Sequence, residues 1–302
     1  MPDDGAVASA ATALRTVGAL VSAMAAMLEP SVGDDAPREA RELLAALHDM
    51  PGHWPTVEQA QRLGEDEWAC ALRAASRRAR GAPLQYAAGQ ASFRHLTLDV
   101  DERVLIPRPE TERLVDLVLD GLRDTPGGIL VDVGTGSGAI ALALASEGRA
   151  ELVIGTDVSL DALAVARANV ARCARALRAP VELRAGSLLG VVHERPLRAV
   201  VSNPPYISWD ERDTLPASVR DWEPTVALFS GANGMWATAQ LVREAADALE
   251  SGGLLALEVD ARRASIAAEL AASHGAYDEV KVVLDLTGRE RFVVARRRET
   301  RE

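Results

Sequence analysis

Val131-Asp132-Val133-Gly134-Thr135-Gly136-Ser137-Gly138 carries an apolar, β-branched run into a glycine-rich turn, and residues 137–146 continue it as a helix. Glycines here let the backbone turn sharply and approach a ligand closely. The spacing is G-x-G-x-G, with the acid Asp132 just before it. A dinucleotide site prefers G-x-G-x-x-G. A Walker loop is excluded, because no Gly-Lys-Ser/Thr follows.

Outward from this loop the pattern repeats. Apolar runs at 129–133, 152–155, 181–183, 199–201, 254–259 and 280–284 read as strands. Helical stretches at 137–146, 160–177, 237–249 and 262–273 separate most of them. Such alternation predicts an α/β fold with a mainly parallel sheet covered on both faces. Residues 291–295, after the turn around Thr287-Gly288, are expected to close the sheet as an antiparallel strand.

Before Pro109 the pattern differs. From Ala6 to about Gly81 no strand-like alternation is visible. Apolar residues recur at helical spacing in Leu43, Leu44 and Leu47, and around Trp68, Leu72 and Ala75. Thr56 and Gln59 read as a capping box, and Pro51, Gly52 and Pro55 as breaks between helices. Residues 92–106 alternate through Phe93, Leu96, Leu98, Val100, Val104 and Ile106, with Asp101 and Glu102 in the middle. That is the pattern of a hairpin linking two domains. The expected organisation is a helical domain over 1–82, a β-hairpin linker over 83–108 and an α/β domain over 109–302.

Two further motifs follow strands of the α/β part. Asp157 ends the second, where an acid can accept hydrogen bonds from two vicinal ribose hydroxyls. NAD and S-adenosylmethionine both carry such a ribose, so Asp157 alone does not choose between them. Ser202-Asn203-Pro204-Pro205-Tyr206 follows the fourth strand. Two successive prolines fix the backbone and remove its donors. The Asn203 side-chain oxygen and the Pro204 carbonyl can then face one point, which suits an NH2 group with two hydrogens. Holding both hydrogens of an amide or purine NH2 favours pyramidalisation and aims its lone pair at a methyl group. Tyr206 offers a flat face to a planar substrate. No strong base is required, since alignment supplies much of the acceleration. Asp210 and Glu211, close by, read as a solvated loop.

Composition narrows the partners. The net charge is −11, which disfavours a non-specific nucleic-acid or membrane binder. Lys281 is the only lysine. Cys70 and Cys173 are far apart, and the histidines form no ligand pair, so neither a disulfide framework nor a metal site is expected. The apolar stretch 17–28 is too short to span a bilayer. Asp3 and Asp4 stand where a leader needs positive charge. A cytoplasmic setting is expected.

The chain resembles the HemK/PrmC family of protein-(glutamine-N5) methyltransferases, which modify peptide-chain release factors. The matching elements include Pro83-Leu84-Gln85-Tyr86 with Gly89 and Phe93, and Leu105-Ile106-Pro107-Arg108-Pro109-Glu110-Thr111-Glu112. They also include the glycine loop, Asp157 with Asn169, Ser202 to Ile207, Glu223-Pro224, and Asp285 with Gly288 and Arg291. Asn203-Pro204-Pro205-Tyr206 is shared with many nitrogen methyltransferases; Pro107 to Thr111 with Glu223-Pro224 is far more specific.

The resemblance implies a Rossmann-like class I S-adenosylmethionine-dependent methyltransferase sheet with a small helical N-terminal domain. It implies that Asp132, Gly134, Thr135, Gly136, Gly138, Asp157, Leu188 and Asn203 hold S-adenosyl-L-methionine. It implies catalysis at Asn203, Pro204, Pro205 and Tyr206, with Glu223, Pro224 and Arg108 on the substrate side. The implied partner is a class 1 peptide chain release factor, methylated on its Gly-Gly-Gln loop. A nucleic-acid exocyclic-amine methyltransferase would carry the same catalytic turn, and a non-catalytic binding protein could retain the same fold. Ser187 stands where the family often has an acid, and Asp260 and Arg263 where Gly and Gln are more usual.

Overall fold

Helices fill the first part of the computed structural model, which describes residues 15–299. The helical reading from Ala6 to residue 14 lies outside them. Thr16 caps α1 (Val17–Val32), its hydroxyl accepting from the Ala19 amide at 3.3 Å. Helix α1 buries Val17, Leu20, Met24 and Leu28, the three-and-four spacing of one helical face. The apolar stretch weighed above as a leader is therefore a core-facing helix. Among the described residues, no helix is long and apolar enough to cross a membrane.

Pro37 opens α2 (Ala36–Leu47), where a missing amide costs nothing. Acidic Glu65, Asp66 and Glu67 start α3 (Glu65–Ala79) and Arg77 and Arg78 end it, matching the helix dipole at both ends. Leu43 and Leu44 of α2 and Ala71 and Ala75 of α3 join the α1 face and Trp54 in one core. Arg78 pairs with Glu39 across α3 and α2 at 2.7 Å. The capping box expected at Thr56 and Gln59 is not formed. Thr56 lies inside the single helical turn Trp54–Val57, and the Gln59 amide donates to the Thr56 carbonyl.

Two compact units result. One runs up to Ala91 and includes Ala217–Trp222; the other holds Ser92–Pro216 and the chain from Glu223. The hairpin is tighter than its sequence pattern. Strands β1 (Gln90–Phe93) and β2 (Leu96–Asp99) turn at Arg94-His95, not at Asp101-Glu102. Arg94 takes a left-handed φ of 54°. Its amide donates to Glu112 at 2.8 Å, and its guanidinium binds Glu147 at 2.6 Å and Asp116 at 2.8 Å. These partners offset the strain of a non-glycine residue there. Asp101 instead ends the strand path, accepting from the Arg103 and Val104 amides.

The second unit is the α/β part. In chain order it holds α4 (Pro109–Gly121), β3 (Ile129–Val133), α5 (Ala139–Glu147), β4 (Leu152–Asp157), α6 (Leu160–Cys173), β5 (Val181–Ala185) and β6 (Leu197–Ser202). Then come α7 (Trp236–Ala248), β7 (Leu249–Glu258), α8 (Ala264–Ser273), β8 (Tyr277–Leu284) and β9 (Glu290–Arg297). The strand order is β5-β4-β3-β6-β7-β9-β8, and β9 pairs antiparallel with both neighbours. Alternate side chains feed two cores. Leu130, Ala199, Val201 and Leu254 face α4 and α5, while Val131, Val133, Val200 and Leu255 face α7 and α8. Strand order reverses on either side of β3, which opens a crevice at its carboxyl end.

Candidate active site

The crevice is a cavity of about 290 Å³ whose lining draws on the ends of β3, β4 and β6. Gly134 and Gly136 line it, with φ of 71° and 54°, and a side chain built on either meets open space. The backbone there faces whatever fills the cavity. Gly138, also left-handed at φ 86°, turns into α5 and does not line the cavity.

Asp132 is fully buried behind the loop. Its Oδ2 accepts from the Thr135 hydroxyl at 2.6 Å and the Ala141 amide at 3.1 Å. Thr135 is thus a strut inside the loop and not part of the wall. Burial pushes the Asp132 carboxyl up to about 7, against the pull of those two bonds. Its Oδ1 is buried without a hydrogen-bond partner. Asp157 lines the cavity at the end of β4. It accepts from the Gly136 amide at 2.9 Å and the Ser159 amide at 2.8 Å. Each carboxylate oxygen keeps acceptor capacity beyond one such bond. Burial raises its pKa. Asn169, fully buried, ties the loop to β2 by donating to the Ser137 and Asp99 carbonyls.

Ser187 and Leu188 line the wall beyond β5. Leu188 has a φ of 51°, and its carbonyl accepts from the Thr156 hydroxyl at 3.0 Å. Opposite lie Asn203, Pro204 and Pro205. The Asn203 Nδ2 donates to the Thr111 hydroxyl at 3.2 Å. Tyr206 is off the cavity wall; it sits near Glu258, Arg291, Asp260 and Arg108, and burial pushes its hydroxyl up to about 12. Arg108 and Glu223 also lie off the wall. The Arg108 guanidinium donates to both Glu223 oxygens at 2.6 Å. Burial still raises the Glu223 pKa, outweighing that contact. The pair fixes the start of α4 against Glu223, so that the next residue, Pro224, lines the cavity.

Part of the wall has no counterpart among the sequence motifs. Arg103, Phe229, Ser230, Trp236 and Leu241 all line the cavity. The segment after Pro205 holds this side in place. The Ile207 amide donates to the Leu228 carbonyl at 3.0 Å and the Ser230 amide to the Ile207 carbonyl at 2.9 Å. Trp209 stacks on Phe229, ring centroids 4.4 Å apart. Glu211 is not a solvated loop residue. It binds Arg263 at 2.7 Å and Arg262 at 2.6 Å, and Arg263 also donates to the Asn233 carbonyl at 2.8 Å. Asp260 pairs with the same two arginines, so the unusual Asp260 and Arg263 form a brace on this rim.

Gly234 sits inside that brace. Its φ is 85°, and an added Cβ would lie 2.1 Å from the Tyr206 carbonyl oxygen and 2.7 Å from Arg263 Nε. Gly234→Ala is expected to destabilise the fold by about 3 kcal/mol, from overpacking and left-handed strain together. A thermal melt unchanged from wild type would show that the brace yields freely.

The residues present fit a nucleoside carrying a positive charge. Two glycines expose backbone, Asp157 offers acceptors at the cavity, and the unpartnered Asp132 oxygen sits behind it. Two family models match the chain: "Methyltransferase small domain" over residues 112–216 and "PrmC N-terminal domain" over residues 19–89. A release factor glutamine methyltransferase of Rhodopirellula baltica is 36% identical over 86% of this chain and 90% of its own length. One from Cereibacter sphaeroides is 37% identical over 94% and 99%. The hMettl16 catalytic domain, solved in complex with MAT2A 3'UTR hairpin 6, is 14% identical and aligns with a TM-score of 0.54 over 79% of this chain and 83% of that one. That last likeness concerns the fold.

Proposed function

The chain belongs to the family of release factor glutamine methyltransferases, and from that premise we propose how its cavity performs the reaction. It transfers a methyl group from S-adenosylmethionine to the side-chain amide nitrogen of a release-factor glutamine. The observation that carries the reading is the tether of Asn203 Nδ2 to Thr111, which leaves Asn203 Oδ1 as the end free to meet the substrate.

S-adenosylmethionine, when bound, supplies an electrophilic methyl on a sulfonium that leaves readily. Gly134 and Gly136 would let the backbone close on it, and Asp157 would hold its ribose hydroxyls. Asp132 braces the loop through Thr135 and the Ala141 amide, and Leu188 and Ser187 would hold the base. Asn203 Oδ1 and the Pro204 carbonyl accept the two hydrogens of the glutamine amide. That grip polarises the N–H bonds towards the nitrogen, favours its pyramidalisation and so turns its lone pair out of conjugation to face the incoming methyl. Pro205 keeps the turn rigid, and Tyr206 buttresses it from the Glu258 side. Among the described residues, no lysine or histidine lines the cavity; the surplus proton leaves the nitrogen to water. Catalysis then rests on alignment and on acceptors held in place before the reaction.

The substrate glutamine lies in the Gly-Gly-Gln loop of a class 1 release factor. The helical unit, residues up to about 82, engages the body of that partner, and the segment 83–108 links it to the catalytic unit. DNA and RNA are not substrates, in keeping with a net charge of −11. Incubating the enzyme and labelled S-adenosylmethionine with release factor, DNA and RNA in parallel tests this. Label is expected in the release factor alone.

A further inference from the structure

We propose that Arg103 binds the nucleoside end of S-adenosylmethionine, donating to the ribose oxygens opposite Asp157, and that Asp101 is the residue that positions it. The inference rests on reading the cavity as the S-adenosylmethionine site.

Among the described residues, two charged side chains line the cavity, Asp157 and Arg103. Hydrogen bonds fix the path that brings Arg103 there. At the end of β2, the Asp99 amide donates to Asn169 Oδ1 at 2.7 Å, and the Asp99 carbonyl accepts from Asn169 Nδ2 at 3.0 Å. Arg172 donates to the Asp99 carboxylate at 2.8 Å. Asp99 is thus pinned towards the carboxyl end of α6. Ser159 and Ala162, at the amino end of α6, line the cavity together with Arg103. Asn169 to Ala162 is about 10 Å of helix, within the roughly 13 Å that the chain from Asp99 to Arg103 can span. Asp161, in the same first turn, also acts on the Arg103 charge. That turn follows directly on Asp157 at the end of β4. Asn203 follows β6, which lies beyond β3 in the sheet, about 10 Å from β4. Arg103 therefore belongs to the ribose end of the cavity and not to the methyl end.

The Arg103 side chain is prepared to donate. Its amide donates to Asp101 Oδ1 at 3.0 Å and the Val104 amide to the Asp101 carbonyl at 3.1 Å, which closes a tight turn. The guanidinium lies on the same carboxylate as a fork, Nε to Oδ1 at 2.8 Å and Nη2 to Oδ2 at 2.6 Å. Such a fork fixes the plane of the group. Nη1 takes no part in it. Ionised Asp157 only accepts, and the Gly136 and Ser159 amides beside it are already given to it. A ribose hydroxyl both donates and accepts, so its oxygens need the donors that Nη1 carries. Asp101 has a second effect. The cofactor carries a sulfonium, and a bare cation at the wall would oppose it. The Asp101 carboxylate cancels that charge and leaves the hydrogens in place.

The test is binding, by titration calorimetry and by competition against labelled S-adenosylmethionine. The proteins compared are wild type, Arg103→Ala and Asp101→Asn. The probes are S-adenosylmethionine, S-adenosylhomocysteine, adenosine and dideoxyadenosine, which lacks both ribose hydroxyls. Arg103 is half-exposed, so the melting temperature should stay near wild type. Arg103→Ala should weaken S-adenosylhomocysteine and adenosine by the same factor, about tenfold, the scale of one charge-assisted hydrogen bond. Dideoxyadenosine should bind wild type and Arg103→Ala alike. Asp101→Asn should weaken S-adenosylmethionine more than S-adenosylhomocysteine, because only the first carries the sulfonium. If Arg103→Ala weakens S-adenosylhomocysteine but not adenosine, Arg103 holds the amino-acid end and the proposal is wrong. Unchanged affinity for both also overturns it. Equal losses for the two cofactor forms in Asp101→Asn overturn the role given to Asp101. Wild-type protein that binds neither form would sink the cofactor reading itself.

Discussion

Asn203→Ala lowers the single-turnover rate by about 10²–10³, the scale of losing one preorganised polar contact in a catalytic site. The geometry makes the loss specific to the chemical step. Asn203 Nδ2 is held by Thr111 at 3.2 Å, and the residue lines the cavity between Ser202 and Pro204. Truncation removes the oxygen proposed to hold one substrate hydrogen. It leaves Asp157, Gly134 and Gly136 in place, so S-adenosylmethionine affinity should change little. Stopped-time mixing of preformed enzyme–cofactor complex with excess enzyme over release factor reads the step directly. A rate close to wild type would make the turn a structural feature only.

Asp157→Ala should act on the other half of the reaction. The carboxylate accepts from the Gly136 and Ser159 amides at 2.9 and 2.8 Å. It therefore holds the glycine loop as well as the proposed ribose. Losing charge-assisted hydrogen bonds costs roughly 1.5–3 kcal/mol. Cofactor affinity should fall at least about tenfold. Asp157→Asn should fall less, because its oxygen can replace one acceptor but not both. Titration calorimetry giving wild-type affinity for Asp157→Ala would remove it from the cofactor site.

What the sequence makes legible is what local chemistry dictates. The glycine loop can be read because a backbone turning from β3 into α5 at positive φ needs glycine at each such point. Asp157 and Asn203 can be read because each follows a strand end, and strand ends on this side of the sheet meet in the crevice. The strands themselves follow from apolar runs, although β7 begins at Leu249, earlier than its pattern. The hairpin turn is displaced because its determinant is not local. Arg94 is held by Glu112, Asp116 and Glu147, residues of α4 and α5. Glu211 looks solvated for the same reason, since Arg263 lies 52 positions on. The wall made by Phe229, Ser230 and Trp236 carries no motif, because it exists only once the Ile207 strand-like pairing folds that loop over the cavity. Thr111 stands in a recognisable motif, yet its bond to Asn203 appears only in three dimensions.

The central claim is the identity of the methylated atom. Purified release factor, incubated with enzyme and S-adenosylmethionine, would be digested and the added mass located by fragmentation spectrometry. The account predicts a single methyl on the side-chain amide of the Gly-Gly-Gln glutamine, absent when Asn203→Ala replaces the wild type. Methyl transfer to DNA or RNA, with none to the release factor, would contradict it.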